Sequence, residues 1–208
     1  MIESIARAFV DGGIFMYAIT AALGLGLAVM GERAYFLIVK FSVDGGKFFA
    51  ELRKLLENGD IEGASKLCGG APLPRILGAG VRAAKKGERA IQNAVDEEAL
   101  AVIPLVEKRI HYLSMIANVS TLLGLLGTII GLMQAFDAVA GADPSQKGAM
   151  LAKGISMAMN TTAYGLMVAI PNMVAYAFLQ SKAGKIVDEI DEYSVKLINL
   201  FAALRKGE

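Results

Sequence analysis

The side chains best placed to do chemistry are hydroxyls and amides inside long apolar runs. One run carries Asn118, Thr121 and Thr128 among the glycines Gly124, Gly127 and Gly131. Another carries Asn160, Thr161 and Thr162, then Gly165, Ala169 and Pro171. On a helix, Ala117, Thr121, Gly124, Thr128 and Ala135 fall in one narrow sector, and so do Ala158, Thr162, Gly165 and Ala169. Each helix therefore presents a small, hydroxylated face. Two uses of such a face stay open. One is close helix packing, with Thr hydroxyls bonded back to their own helix. The other is a path for ions or water. Pro171 either frees a carbonyl near Met167 or simply kinks its helix.

Absences narrow the chemistry. The runs Ile110 to Phe136 and Gly154 to Ser181 contain no Asp, Glu, Lys or Arg. A proton relay in a membrane needs a titrating side chain, and threonine does not titrate near pH 7. Any carboxylate on an ion path must come from another chain. One histidine (His111) and one cysteine (Cys68) argue against a metal site within the chain and exclude an internal disulfide framework. No nucleophile–base constellation points to an enzyme, and no cofactor site is apparent. The stretch Leu122–Gly131 is glycine-rich but lacks the Gly-Lys-Ser/Thr ending of a phosphate-binding loop.

These runs need an apolar solvent. Of 208 residues, 55% are hydrophobic and only 20% charged, with a net charge of +1, so nothing suggests a nucleic-acid partner. Gly12 to Gly31 is an uncharged run of 20 residues, enough to span about 30 Å of hydrocarbon as a helix. A signal peptide is the alternative there. The run is longer than the ~7–15 residues of a signal core and follows Glu3, Arg7 and Asp11 rather than a basic start. The reading is an all-α multi-pass membrane protein, one domain over residues 1–208. Transmembrane helices are expected at about 12–38, 110–138 and 154–181, with helical cytoplasmic segments at about 40–109 and 182–208. Twelve Lys and Arg residues lie between Lys40 and Arg109 and five after Ser181, against one before the first span and two in the loop from Asp137 to Lys153. The positive-inside rule puts the N-terminus outside and the C-terminus inside.

The cytoplasmic part reads as short helices. Phe48, Leu52, Leu55 and Leu56 make one stripe, stopped by Asn58-Gly59. Asp60 caps a helix through Leu67, which Gly69-Gly70 ends. Pro72 and Pro74 mark a turn before a helix from Arg75 to Lys86. From Glu88 a stripe of Ile91, Val95, Ala99, Val102, Val106, Ile110 and Leu113 predicts one long helix entering the second span, with a bend at Pro104. Asp188 to Leu204 extends the third span in the same way.

With those motifs in place, the sequence resembles the ExbB/TolQ/MotA proton-channel family. The resemblance rests on Leu122-Leu-Gly-Leu-Leu-Gly-Thr-Ile-Ile-Gly131, and on Gly154-Ile, Ala158, Thr162-Ala-x-Gly-Leu and Ala169-Ile-Pro171. Gly59-Asp60 through Cys68 adds weaker support. Three spans and a short tail look like the ExbB/TolQ branch. The resemblance implies a bacterial inner-membrane homo-oligomer, a pentamer, around a single-span partner of the ExbD/TolR/MotB type that carries a membrane Asp. It implies proton-driven work at the cell envelope, with Thr128 and Thr162 as pore threonines and Thr121, Thr161 and Asn160 along the path. Gly124, Gly127, Gly131, Ala158, Gly165 and Ala169 are then packing positions. Met157 stands where many ExbB/TolQ proteins have Glu. Asn160-Thr161-Thr162-Ala-Tyr164-Gly165 looks more like sodium-driven stators, which keeps sodium as the alternative ion. A non-conducting membrane scaffold is the competing reading of another class.

Overall fold

The computed structural model describes residues 13–206. The N-terminal flank with Glu3, Arg7 and Asp11, and Gly12 at the expected start of the first span, lie outside the described residues. So do Gly207 and Glu208. Among the described residues seven α-helices follow one another: α1 (Ile14–Ala34), α2 (Gly45–Glu57), α3 (Ile61–Leu67), α4 (Pro72–Ala83), α5 (Glu88–Glu107), α6 (Ile110–Ala140) and α7 (Pro144–Lys206). A π-helical turn, Tyr35–Lys40, continues α1, and a short 3-10 turn, Ala84–Lys86, follows α4. The described residues contain no strand. Three helical stretches, ending in α1, α6 and α7 respectively or passing through them, are long and apolar enough to cross a membrane. The chain is a membrane protein by that measure. It divides into two compact units. One holds the residues up to Gly31 with Arg109–Ala177, and the other holds Glu32–Lys108 with the residues from Phe178 onward.

In the second unit, capping explains the short helices. Asp44 Oδ1 accepts from the Lys47 amide at 3.1 Å and starts α2, whose Phe48, Leu52 and Leu56 are buried. That amide and the Lys47 ammonium hold the Asp44 carboxyl below its ordinary range. Gly59, at φ +74°, takes the left-handed conformation that ends the segment. Asp60 Oδ1 then accepts from Gly63 N at 2.8 Å and starts α3.

The expected turn at Pro72 and Pro74 is instead the first turn of α4. Proline has no N–H to lose there, and its fixed φ suits the first helical position. The helix therefore starts at Pro72 rather than Arg75. It is buried on Leu73, Ile76, Leu77 and Val81. Gly80 meets Val95 of α5 and Leu197 of α7, whose methyls would lie 2.7 and 2.9 Å from an added Cβ. Cys68 lies against Gly78, and burial pushes its thiol up to about 11, so it stays protonated and inert.

The long helix from Glu88 also differs from expectation. Its buried stripe is as expected at Ile91, Val95, Val102 and Val106. Yet the helix ends at Glu107 and restarts at Ile110, and Pro104 lies inside α5. The interruption is at Arg109, at φ +62° and the one described non-glycine residue with positive φ. A helix end leaves carbonyls without donors. One of these, Leu105 O, accepts from Arg33 Nη1 at 3.2 Å. Arg33 is 4% exposed. Its guanidinium carbon lies 5.6 Å from the Phe36 ring centre, and Nη2 lies 3.5 Å from Glu32. A cation here also faces the negative end of the α5 dipole. A proline kink could be read from the sequence, whereas a break sealed by an arginine 72 residues away could not.

Replacing Arg33 by Met keeps the apolar stem but takes from Leu105 O the donor it has in Arg33 Nη1. Thermal unfolding in detergent should show a loss of about 1–3 kcal/mol. Arg33→Lys, which keeps a donor without the planar fork, should lose less. An unchanged midpoint for Arg33→Met would remove the capping role.

Candidate functional site

The first unit is built on glycine and alanine. The buried positions of α6 are Ile110, Leu113, Ile116, Ala117, Ser120, Gly124, Gly127, Gly131 and Ala135. Those of α7 within this unit are Ala158, Thr161, Gly165, Val168, Ala169 and Asn172. The two helices run antiparallel, because Gly165 meets Ser120 and Gly124, Gly127 meets Thr161, and Gly131 meets Ala158. A Cβ on Gly165 would sit 2.7 Å from Ser120 O and 3.1 Å from Gly124 Cα. A Cβ on Gly124 would sit 3.2 Å from Thr162 Cα. These neighbours are backbone, so the contact has no slack. Gly154 meets Ala135 at the other end of the seam.

This closeness lets a side chain of one helix reach a carbonyl of the other. Thr162 Oγ1 donates to Gly124 O at 3.0 Å. The α-helical pattern already gives that oxygen the amide of Thr128. Both pore threonines implied by the resemblance therefore meet at one carbonyl, Thr128 by its backbone and Thr162 by its hydroxyl. The Thr128 hydroxyl donates to Leu125 O at 2.6 Å. Thr121 donates to Ala117 O at 3.1 Å, Thr161 to Met157 O at 3.0 Å and Ser120 to Ile116 O at 2.8 Å.

The contact seam is rotated from the sector read in the sequence. Thr121 is exposed and Thr128 half-buried, while Ser120, Gly127 and Gly131 take the buried line. Threonines at a seven-residue step drift across a straight helix by about 20° per heptad. The seam follows the glycines, where backbones can touch. Thr161 is 1% exposed, with its side chain filling the space beside Gly127, so within one chain it packs rather than lines a surface. Asn160 and Thr162 are two residues apart and so point about 200° apart on the helix. Asn160 thus does not share the Thr162 face. Met157 is half-buried. The helix α7 continues through Pro171, whose missing N–H leaves Met167 O without its intrahelical donor.

The helix α7 also packs against α1. Tyr164 and Thr20 hydroxyls lie 3.0 Å apart and share a hydrogen bond, and the Thr20 hydroxyl also lies 2.7 Å from Met16 O. Tyr164 is thereby directed toward α1, away from Thr162. Asn172 is buried against Gly26, gives its amide to Val168 O at 2.8 Å, and leaves Oδ1 without a hydrogen-bond partner. Sequence reasoning gave no role to Ser120, Thr20 or Asn172. The glycine at position 26 in an otherwise apolar run was the available signal for the last. Among the described residues no cluster of His, Cys, Asp and Glu could hold a metal ion.

Residues 70–192 match the profile of the MotA/TolQ/ExbB proton channel family. Over 193 residues, 91% of this chain and 66% of the relative, the chain is 28% identical to a putative biopolymer transport protein ExbB homolog of Methanothermobacter thermautotrophicus. It is 37% identical over 113 residues to the Tol-Pal system protein TolQ of Haemophilus influenzae, covering 52% of this chain and 47% of TolQ. With the biopolymer transport protein exbB1 of Vibrio cholerae it shares 36% over 92 residues, 44% of this chain and 40% of the relative. The matches thus span less than two thirds of these relatives' own lengths.

The helix seam yields a paired test. Gly165→Ala forces backbone apart and should lower stability by about 1–3 kcal/mol, as overpacking does. Gly184→Ala meets nothing within 4 Å and should stabilise α7 by up to about 1 kcal/mol. Equal effects in thermal unfolding would contradict the seam.

Proposed function

We propose, for a chain that belongs to the MotA/TolQ/ExbB proton channel family, that it is the ion-channel subunit of an inner-membrane motor that drives work at the cell envelope. The observation that carries this reading is the convergence of Thr128 and Thr162 on Gly124 O, in two helices whose apolar runs hold no Asp, Glu, Lys or Arg. A hydroxyl site of that kind complements a carboxyl group supplied from outside the chain. The partner is then a single-span protein of the ExbD/TolR/MotB kind with a membrane Asp. A homo-oligomeric ring, a pentamer in this reading, surrounds it. Exposed Leu122, Leu125, Ile129 and Met133 on α6 meet lipid or neighbouring copies in such a ring. The lysine and arginine distribution supports an external N-terminus and a cytoplasmic C-terminus. The proton gradient is the energy source favoured by the branch, with sodium as the alternative.

One observation favours a second reading. Thr121, Thr128, Thr161 and Thr162 all donate to helix carbonyls, as packing threonines do. A non-conducting scaffold that only organises partners would use them this way.

Thr128→Val and Thr162→Val delete the hydroxyl at nearly constant shape and separate the two readings. The motor reading expects both variants to assemble with the partner and to lose ion flux by at least tenfold in proteoliposomes. Normal flux in both would refute the pore role. Failure to assemble would make the threonines packing groups and support the scaffold.

A further inference from the structure

Where α7 leaves its apolar run, one face of the helix carries apolar, cationic and anionic side chains in a fixed order. Phe178, Lys182, Lys185, Glu189 and Tyr193 recur at steps of 4, 3, 4 and 4, so they share one stripe. Phe178 is exposed, and Lys182 is the first charge after the uncharged run that ends at Ser181. From Phe178 to Glu189 the stripe covers about 17 Å of helix.

A cavity of about 470 Å³ opens beside this stripe, within the size range of small-molecule sites. Its lining belongs entirely to the second unit. Lys182, Lys185 and Glu189 form one wall, and Leu37 of the π-helical turn with the loop from Ser42 to Gly46 forms the other. The loop backbone rests on the Tyr193 ring, which lies 2.5 Å from where a Gly45 Cβ would sit. Leu37 stands three residues before Lys40, and Lys182 directly follows an apolar run. The cavity is therefore at the depth where hydrocarbon gives way to headgroups. Its charges are not spent on one another. Lys185 approaches Glu189 only at 3.9 Å, and Lys182 has no ion pair among the described residues. The Asp44 carboxyl, bonded to the Lys47 amide and ammonium, is held ionised. The lining thus carries Lys182 and Lys185 against Asp44 and Glu189, with no net charge.

We propose that this cavity binds the headgroup of a zwitterionic phospholipid that ends in a primary ammonium, of the phosphatidylethanolamine class. The order of the stripe matches the order of that molecule. The acyl chains lie along Phe178, the phosphate reaches Lys182 and Lys185, and the ammonium donates to Glu189 and Asp44. An anionic headgroup lacks the ammonium and brings its charge beside the same two carboxylates. A choline headgroup has the charge but no N–H to donate. Free phosphoethanolamine lacks the apolar contact. Lysines that only snorkel to the membrane surface would show no such order of preference. The site lies in the second unit alone and does not depend on the ion path.

The test is native mass spectrometry of the purified full chain in detergent. It is titrated with phosphatidylethanolamine, phosphatidylglycerol or phosphatidylcholine of identical acyl chains. The wild type should retain one phosphatidylethanolamine per chain, about tenfold more tightly than either other lipid, the scale of one charged hydrogen bond. Lys182→Ala combined with Lys185→Ala should weaken that binding by about the same factor, while the two arginine replacements keep it. Glu189→Gln should narrow the preference over phosphatidylcholine. Lys86→Ala, on the short turn after α4, should bind like the wild type. Soluble phosphoethanolamine at equal concentration should not compete. Equal retention of the three lipids by the wild type would overturn the site. So would a preference for phosphatidylglycerol, full retention in the double alanine variant, or an unchanged preference in Glu189→Gln. Competition by soluble phosphoethanolamine would overturn the lipid as the occupant.

Discussion

The contact between the α6 and α7 backbones at Gly124 and Gly165 sets the terms for everything else in the membrane unit. Lipid tails are as apolar as leucine, so burying leucine between helices gains little there, and helices associate by close packing and hydrogen bonds. A Cβ on Gly165 would lie 2.7 Å from Ser120 O, which shows how completely that packing has been used. The short separation brings Gly124 O within 3.0 Å of the Thr162 hydroxyl. It also explains why the neighbouring seam positions are Gly127, Gly131, Ala135 and Ala158, because one larger residue would hold the helices apart along their length.

The same contact decides what chemistry remains. A threonine bonded to a carbonyl keeps its lone pairs and gives up its donor, so the hydroxyls at this seam are polarised in one direction. The helix α7 is held by two neighbours, by Thr161, Thr162 and Gly165 toward α6 and by Tyr164 and Asn172 toward α1. That double hold fixes its rotation and therefore where Thr162 points. Ionised side chains are confined to other parts of the chain. Their clearest structural use is Arg33, which closes the end of α5 at Leu105 O.

Much of this was legible in the sequence because membranes impose long uncharged runs and because helix caps have short-range signatures. Asp60 with Gly59 and the stripe from Ile91 to Val106 fall where local rules put them. Two local readings failed for physical reasons. Pro72 and Pro74 are turn signals by composition, yet proline is equally at home in the first turn of a helix. Pro104 drew attention as a bend, while the helix breaks at Arg109, whose positive φ carries no sequence mark. Periodicity grouped small residues that touch between α6 and α7, Gly124 and Gly165 among them, but did not give the rotation of α6. Helical spacing alone cannot tell whether threonine or glycine occupies the line of closest approach. The long-range bonds Thr162–Gly124 and Tyr164–Thr20 have no local signal at all.

The seam can be examined directly by cross-linking. A Cβ on Gly131 would lie 3.3 Å from the Ala158 Cβ, close to the spacing of about 3.8 Å that a disulfide needs. In a background with Cys68 replaced by Ala, the pair Gly131→Cys and Ala158→Cys should oxidise in native membranes to a disulfide within one chain. Mass spectrometry of the monomer band would then show the cross-linked peptide pair. Free thiols throughout, or cross-links only between chains, would contradict the packing of α6 against α7 on which the site depends.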